Sequence, residues 1–321
     1  MLYPLTFSPI FKERVWGGRR LEQLYRKPLP PGVPIGESWE ISDRPGDTSV
    51  IANGPLAGED LHWVLENHPR ELLGERVTHQ GRFPLLIKIL DAQDRLSLQV
   101  HPPASKAAAL GGEPKTEMWH IAEAQPGAEL YVGLRRGVSR AEFEAKLKSG
   151  TVAECFHRLE VKAGDTMFLP SGRVHAIGSG LVIFEIQQNS DTTYRVFDWN
   201  RVALGGKPRE LHLPQSLASI DFEDFEPALV SSAWSGSGAA RVRPLAADPL
   251  FKVTACSLIA GASTGNAPGR MQIVGLLKGR LVVQHATQPL TLGPGEFCLL
   301  PASLGSVALK VDADAEFLLI E

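Results

Sequence analysis

Short apolar runs separated by Gly and Pro punctuation dominate the chain, and few stretches keep a helical period. Runs at 83–90, 95–101, 117–123, 129–134, 166–169, 181–188 and 194–199 predict strands, and so do 251–258, 271–277, 280–284, 296–300 and 316–320. Helical spacing is confined to three places. In 59–73, Leu61, Val64, Leu65 and Leu72 fall near one face, although Pro69 should kink or shorten the helix. Residues 139–148 open with a Ser139-x-x-Glu142 capping box and carry Phe143 and Leu147 four apart. Residues 103–110 read as an Ala-rich turn of helix. This density of strands predicts an all-β sandwich or barrel with helices packed outside it.

Two segments echo each other. Gly164-Asp165-Thr166-Met167-Phe168-Leu169-Pro170 has a counterpart in Gly295-Glu296-Phe297-Cys298-Leu299-Leu300-Pro301, each a turn glycine and an acid leading into an apolar strand that ends at proline. The first continues to His175, whereas the second continues without a histidine. The pair reads as an ancestral barrel duplication in which only the first copy kept polar chemistry. Between the copies, residues 221–240 run from an acidic start to a Ser/Gly/Ala-rich end and read as a connection. The expected organisation is a barrel with short helices over 1–220, the connection 221–240, and a second, ligand-free barrel over 241–321.

Composition narrows the function classes. Thirty-three Lys+Arg against 36 Asp+Glu give a net charge of −3, so no global basic field exists for nucleic acid or an anionic membrane. No run of about 18 apolar residues occurs, and the first residues lack the basic and apolar regions of a signal peptide. A cytoplasmic location is the expectation. Cys155, Cys256 and Cys298 are odd in number, widely spaced and without a CxxC, which excludes a disulfide framework and a thiolate zinc site.

The chemistry concentrates in the first copy. Strict alternation over 95–101 sends Ser97, Gln99 and His101 to one face and Leu96, Leu98 and Val100 to the other. Alone, that pattern also fits a strand with its polar face in water. Pro102 and Pro103 then stop the ladder, so the polar face lies at a strand end. The run 83–90 is apolar on both faces except for Lys88. Such a lysine either snorkels near a strand end or points into a cavity, where its burial calls for an anion such as phosphate or carboxylate. Lys115 and Glu117 share a face, while His120 has the opposite parity and reads as structural. His175 follows a glycine turn at the start of a strand. Glu185 is the single ionisable residue of the core strand 181–188, a position that calls for a partner or a site. Arg195, after Asp191, is suited to gripping an anion. Together His101, Glu117 and His175, with Gln99 as a fourth, offer nitrogen and hard oxygen ligands without thiolate. That set suits Zn²⁺, Mn²⁺, Fe²⁺ or Co²⁺ with a position open for substrate or water.

These residues lie in segments that resemble the type I phosphomannose isomerases, in their short bacterial form, within the cupin superfamily. The matching pieces are Tyr3-Pro4-Leu5, Val15-Trp16-Gly17-Gly18, Gly36-Glu37-Ser38-Trp39-Glu40-Ile41-Ser42, Phe83-Pro84-Leu85-Leu86-Ile87-Lys88 and Leu96-Ser97-Leu98-Gln99-Val100-His101-Pro102. They continue with Lys115-Thr116-Glu117-Met118-Trp119, Pro170-Ser171-Gly172-Arg173-Val174-His175-Ala176 and the run from Glu185 to Arg195. The likeness is close over residues 1 to about 200 and looser over 240–321.

The resemblance implies a mainly β fold of two cupin-like (jelly-roll) barrels with a few peripheral helices, the first catalytic and the second not. It implies one zinc per chain on Gln99, His101, Glu117 and His175, and a small sugar phosphate as substrate. By the same resemblance Ser97 and Lys88 hold the substrate phosphate, Arg195 is the catalytic arginine, and Lys115, Glu185 and Asp191 line the reacting end. The implied reaction interconverts mannose 6-phosphate and fructose 6-phosphate through an enediolate, with Lys115 or Glu185 as base. Two other readings remain from the residues alone. Two histidines and a carboxylate also describe a non-haem Fe(II) oxygenase, which leaves Lys88, Ser97 and Arg195 without a role. A non-catalytic sugar-phosphate-binding cupin would not need Arg195 or Lys115.

Overall fold

The computed structural model describes residues 2–75, 81–202, 204–285 and 289–321. Its strands form two pairs of facing antiparallel sheets. In the first pair, a six-stranded sheet runs Ile10–Gly18, Ile35–Ile41, Leu85–Ala92, Leu181–Gln188, Glu117–Ala124, Thr166–Leu169 in spatial order. It faces a five-stranded sheet ordered Tyr194–Phe197, Leu98–Val100, His175–Ile177, Glu129–Leu134, Phe156–Glu160. In the second pair, Ala240–Ala247, Lys252–Leu258, Ala315–Ile320, Gln272–Lys278 and Phe297–Leu300 form one sheet, and Ser263–Gly265, Ala308–Lys310, Leu281–Gln284 and Leu290–Leu292 the other. Each pair closes into a jelly-roll barrel. The echoed segments take matching places: Thr166–Leu169 and Phe297–Leu300 each end the larger sheet of their pair, after glycines at φ 90° and 78°.

The central strands of the six-stranded sheet have no wet face. Its outer side (Leu85, Ile87, Ile89, Phe184, Ile186) packs on the helices near Leu21, Leu61, Val64 and Leu72 and on Val253, Ile273, Leu299 and Leu318 of the second barrel. Burial on both sides explains why its central strands read as continuous apolar runs rather than alternating ones. Inward, Leu90, Trp119, Ile121 and Ile183 meet Leu130, Val132 and Ile177 of the opposite sheet and fill one end of the barrel. The site occupies the other end.

Pro69 splits the expected helix into Leu61–Asn67, N-capped by Asp60 at 2.7 Å from Trp63 N, and Pro69–Leu73 with proline at its first turn. Ser139 caps Arg140–Ser149. Ala104–Ala107 continues into a 3₁₀ turn, Ala108–Leu110. The strand expected over 95–101 is shorter, Leu98–Val100, because side chains claim its first residues. Arg95 stacks on the Trp199 ring, and Trp199 Nε1 donates to the Leu96 carbonyl at 2.7 Å. The connection after residue 220 is pinned to the first barrel, with Phe225 bridged to Leu134 and Val230 N donating to Thr166 O. Among the described residues, no helix is long and apolar enough to cross a membrane.

Candidate metal centre and active-site cavity

Cross-strand register assembles the site. Across the five-stranded sheet, His175 pairs with Gln99 and Gln99 with Arg195, so one row reads Arg195, Gln99, His175. Across the six-stranded sheet a row reads Trp39, Lys88, Glu185, Trp119, and one step further Gln187 pairs with Glu117. Residues opposite each other across a ladder point to the same face. Both polar rows therefore face the barrel interior.

At the floor, ligand atoms of His101, Glu117 and His175 lie within 4.8 Å of one another, all buried. His101 Nε2 is 3.5 Å from Glu117 Oε2, and His175 Nε2 is 3.4 Å from Glu117 Oε1. Each ring is oriented from behind. His101 Nδ1 donates to the Thr192 carbonyl at 2.7 Å and His175 Nδ1 to the Arg173 carbonyl at 2.9 Å. This fixes the tautomer and aims both Nε2 lone pairs at the carboxylate. Burial, joined by the Lys115 charge, pushes the His101 imidazole down to about 4, and burial likewise lowers His175. Burial would raise Glu117, but Lys115 and His101 outweigh it and hold the carboxyl well below its usual range.

Two neutral imidazoles and an ionised carboxylate thus face each other as acceptors. His101 Nε2 and Glu117 Oε1 are buried without a hydrogen bond, and Glu117 Oε2 has only the Lys115 ammonium at 2.9 Å, an arrangement of facing acceptors that costs several kcal/mol unless something between them supplies positive charge. A divalent cation fits this donor set. Gln99 Nε2 donates to His175 Nε2 at 3.2 Å. Turning that amide over presents its carbonyl oxygen to the same point.

Above the floor opens a cavity of about 480 Å³ lined by Lys88, Ser97, Gln99, Lys115, Glu185, Asp191 and Arg195, so each of these predicted residues reaches one space. Lys115 Nζ pairs with Glu117 Oε2 at 2.9 Å. Burial pulls this ammonium down, and Glu117, Glu185 and Asp191 more than compensate, so it stays raised above the ordinary lysine value. Lys88 Nζ, 4% exposed, meets Glu185 Oε2 at 3.2 Å and Glu37 Oε2 at 3.9 Å. The anion that its burial demanded is therefore supplied from within the protein. Trp119 Nε1 donates to Glu185 Oε1 at 2.9 Å. Burial raises Glu37, but Lys88 and Arg14 bring it down to about 2.

Arg195 is half-buried; its Nη1 donates to the Glu210 carbonyl at 2.8 Å, and its Nε is buried without a partner. His120 faces away from the site, against Thr166 Oγ1 at 3.1 Å. Sequence reasoning gave no role to Glu37, Arg14 or Arg209, which also line the cavity. For Glu37 the signal was present: it is an acid in a fully buried strand, as Glu185 is. Arg209 lies in a polar loop and carries no such mark.

Fold and site together define a cupin-type protein built to hold a metal ion at the floor of a charged cavity. Comparison with known proteins agrees. Residues 5–115 match the family described as phosphomannose isomerase type I, catalytic domain. A mannose-6-phosphate isomerase from Streptococcus mutans is 34% identical, over 99% of this chain and 98% of that protein. The chain belongs to the type I mannose-6-phosphate isomerase family. The crystal structure of the Bacillus subtilis mannose 6-phosphate isomerase superposes with a TM-score of 0.90 at 29% identity, covering 100% of both chains. The apo enzyme of Salmonella typhimurium shares the fold at a TM-score of 0.74 and 20% identity, over 99% of each chain.

Proposed function

We propose that this chain interconverts D-mannose 6-phosphate and D-fructose 6-phosphate, using one zinc ion held by His101, Glu117 and His175 with Gln99 as fourth ligand. The observation that carries the reading is the convergence of unsatisfied buried acceptors at the floor of a cavity whose walls carry Arg195, Lys115, Glu185 and Asp191. Bound there, the ion would act as a Lewis acid toward the sugar oxygens at C1 and C2.

The chain's own side chains do the rest. Ser97 and Lys88 hold the phosphate and fix the distance from it to the reacting carbons, so that remote binding energy orients the sugar. Arg195, with its unpartnered Nε, stabilises the oxyanion of the enediolate. Asp191 assists ring opening by taking the proton of the anomeric hydroxyl as the C1–O5 bond breaks and returning it to the released O5. Glu185 and Lys115 stand at the C1/C2 edge as the two groups able to move the proton between carbons. Lys115 can accept a proton only when the carboxylates that hold it as an ammonium are drawn elsewhere. A pH–rate profile of Glu185→Gln beside Lys115→Met separates them, since the variant that removes the base loses the basic or acidic limb that belongs to it.

The reading is tested by following fructose 6-phosphate formed from mannose 6-phosphate with native, chelator-stripped and Zn²⁺-restored protein. Activity that disappears with the metal and returns with Zn²⁺ is expected. Folded, metal-loaded protein that binds the sugar phosphate without converting it would identify a binding protein instead.

A further inference from the structure

The charges lining the cavity are unevenly compensated. Lys88 lies between Glu185 and Glu37, and Glu37 is also paired with Arg14 at 2.8 Å, so two cations meet two carboxylates. Lys115 is paired with Glu117. On the opposite wall stand Arg195 and Arg209, with Arg201 close to them but outside the lining. Asp198 holds Arg209 through Nε at 2.7 Å and Nη2 at 2.5 Å and Arg201 at 2.9 Å, while Arg201 also reaches Asp94 at 3.2 Å. Among the described residues, no carboxylate comes within ion-pair distance of Arg195. Burial, then the Arg209 charge, lowers the Arg195 guanidinium from its ordinary value. Glu13 and Asp191 add two further acids to the lining, so the positive charge not already met by a carboxylate at ion-pair distance lies on this wall, at Arg195. A phosphate monoester brings a charge of about −1.5 to −2 near neutral pH, more than a lysine already facing two carboxylates can balance.

Register says which end of the cavity the excess serves. Arg195 pairs with Gln99, but the next pair is Phe197 with Leu98, so Val196 is a bulge. Without the bulge, residues 195 and 198 would point to opposite faces. Continued one residue past Phe197, the shifted register brings Asp198 level with Ser97 and onto the same face as Arg195, the re-aiming a bulge provides. Both arginines line the cavity; by that extension Arg209, clamped on Asp198, falls toward the Ser97 end, while Arg195 is paired with Gln99 toward the metal end. Two of its guanidinium nitrogens are spent on Asp198, and Nη1 makes no hydrogen bond within the described protein.

We propose that Arg209, positioned by Asp198, is a ligand of the substrate's 6-phosphate and the main determinant of the preference for phosphorylated over free sugar. The proposal rests on the isomerase reading of the cavity. A guanidinium fork suits a phosphate better than an ammonium does, because it offers paired donors in a fixed plane.

The test uses the zinc-loaded full chain and its Arg209→Met and Arg209→Lys variants, each checked for folding by thermal melt. The ratio of kcat/KM for mannose 6-phosphate to that for mannose is expected to fall about 10- to 100-fold in Arg209→Met, the range for one charge-assisted hydrogen-bonding group. The fall should come mainly through KM, with competitive inhibition by inorganic phosphate weakened in proportion. Arg209→Lys, which keeps the charge and loses the fork, should lie between. An unchanged ratio, or an equal loss on both sugars, overturns the proposal. Should the parent protein convert no mannose 6-phosphate, the isomerase reading fails, and calorimetric titration with inorganic phosphate still decides the arginine. Binding by the parent that is lost in Arg209→Met sustains it, and equal binding, or none by the parent, removes it.

Discussion

The two barrels share an architecture and differ in what fills them. In the second, Val274, Leu276, Leu281, Val283, Leu309 and Phe317 converge on an apolar core. In the first, apolar packing stops partway along the barrel, and the remaining space holds Lys88, Glu117, Glu185, His101 and His175, all buried. Even the matched segments diverge at the same point, where Ser171 to His175 follows Pro170 and a histidine-free turn follows Pro301. Burying ionised groups is unfavourable unless each is paired and hydrogen-bonded. The first barrel meets that condition by pairing Lys88 with Glu185 and Lys115 with Glu117, and leaves it unmet at His101 Nε2, Glu117 Oε1 and Arg195 Nε. A jelly roll tolerates a polar half because the other half, and the outer face packed on the second barrel, retain the apolar burial that holds it together.

The contrast can be broken most severely at the metal. Glu117→Gln should abolish isomerase activity and bound zinc together, measured by the coupled assay and by metal analysis of the purified protein. Retained zinc with full activity would remove Glu117 from the ligand set. Arg195→Ala is expected to lower kcat by about 100- to 1000-fold with little change in KM, the loss typical of one oxyanion-stabilising donor. A large KM effect at normal kcat would contradict that role.

Lys88→Ala should act mainly on KM, by about 10-fold, and should also cost about 3–5 kcal/mol of stability, because buried Glu185 then loses its cation while Glu37 keeps Arg14. Chemical denaturation reads the second effect separately from steady-state kinetics. The smallest effect on catalysis belongs to the second barrel. Leu309→Ala should cost about 2–5 kcal/mol through a cavity in that core and leave kcat per folded molecule unchanged. A matching fall in kcat would show that the second barrel shapes the site.

Much of the first barrel's chemistry was legible because strand geometry is local. Alternation alone sets Ser97, Gln99 and His101 on one face, and an isolated charge in an apolar run marks Lys88 and Glu185. The strands Ile10–Gly18 and Ile35–Ile41 were missed as elements. The first is irregular, with register shifts at Lys12/Glu13 and between Glu13 and Gly18, and the second is buried on both faces and shows no alternation. Ala240–Ala247 was hidden by its place at a sheet edge, where most of its residues are exposed.

The sequence by itself therefore determined the mainly β class, the duplicated barrel plan, and the residue types and strand faces that carry the chemistry, since each follows from periodicity over a few residues. Only the tertiary structure decided that Lys88 meets Glu185 and Glu37, that the register shifts at Val196, and that Arg209, held by Asp198, reaches the cavity. Those facts depend on the register between strands far apart in the chain, such as Gln99 against His175 and Lys88 against Glu185. Register is set by packing the whole sheet, which no local pattern contains.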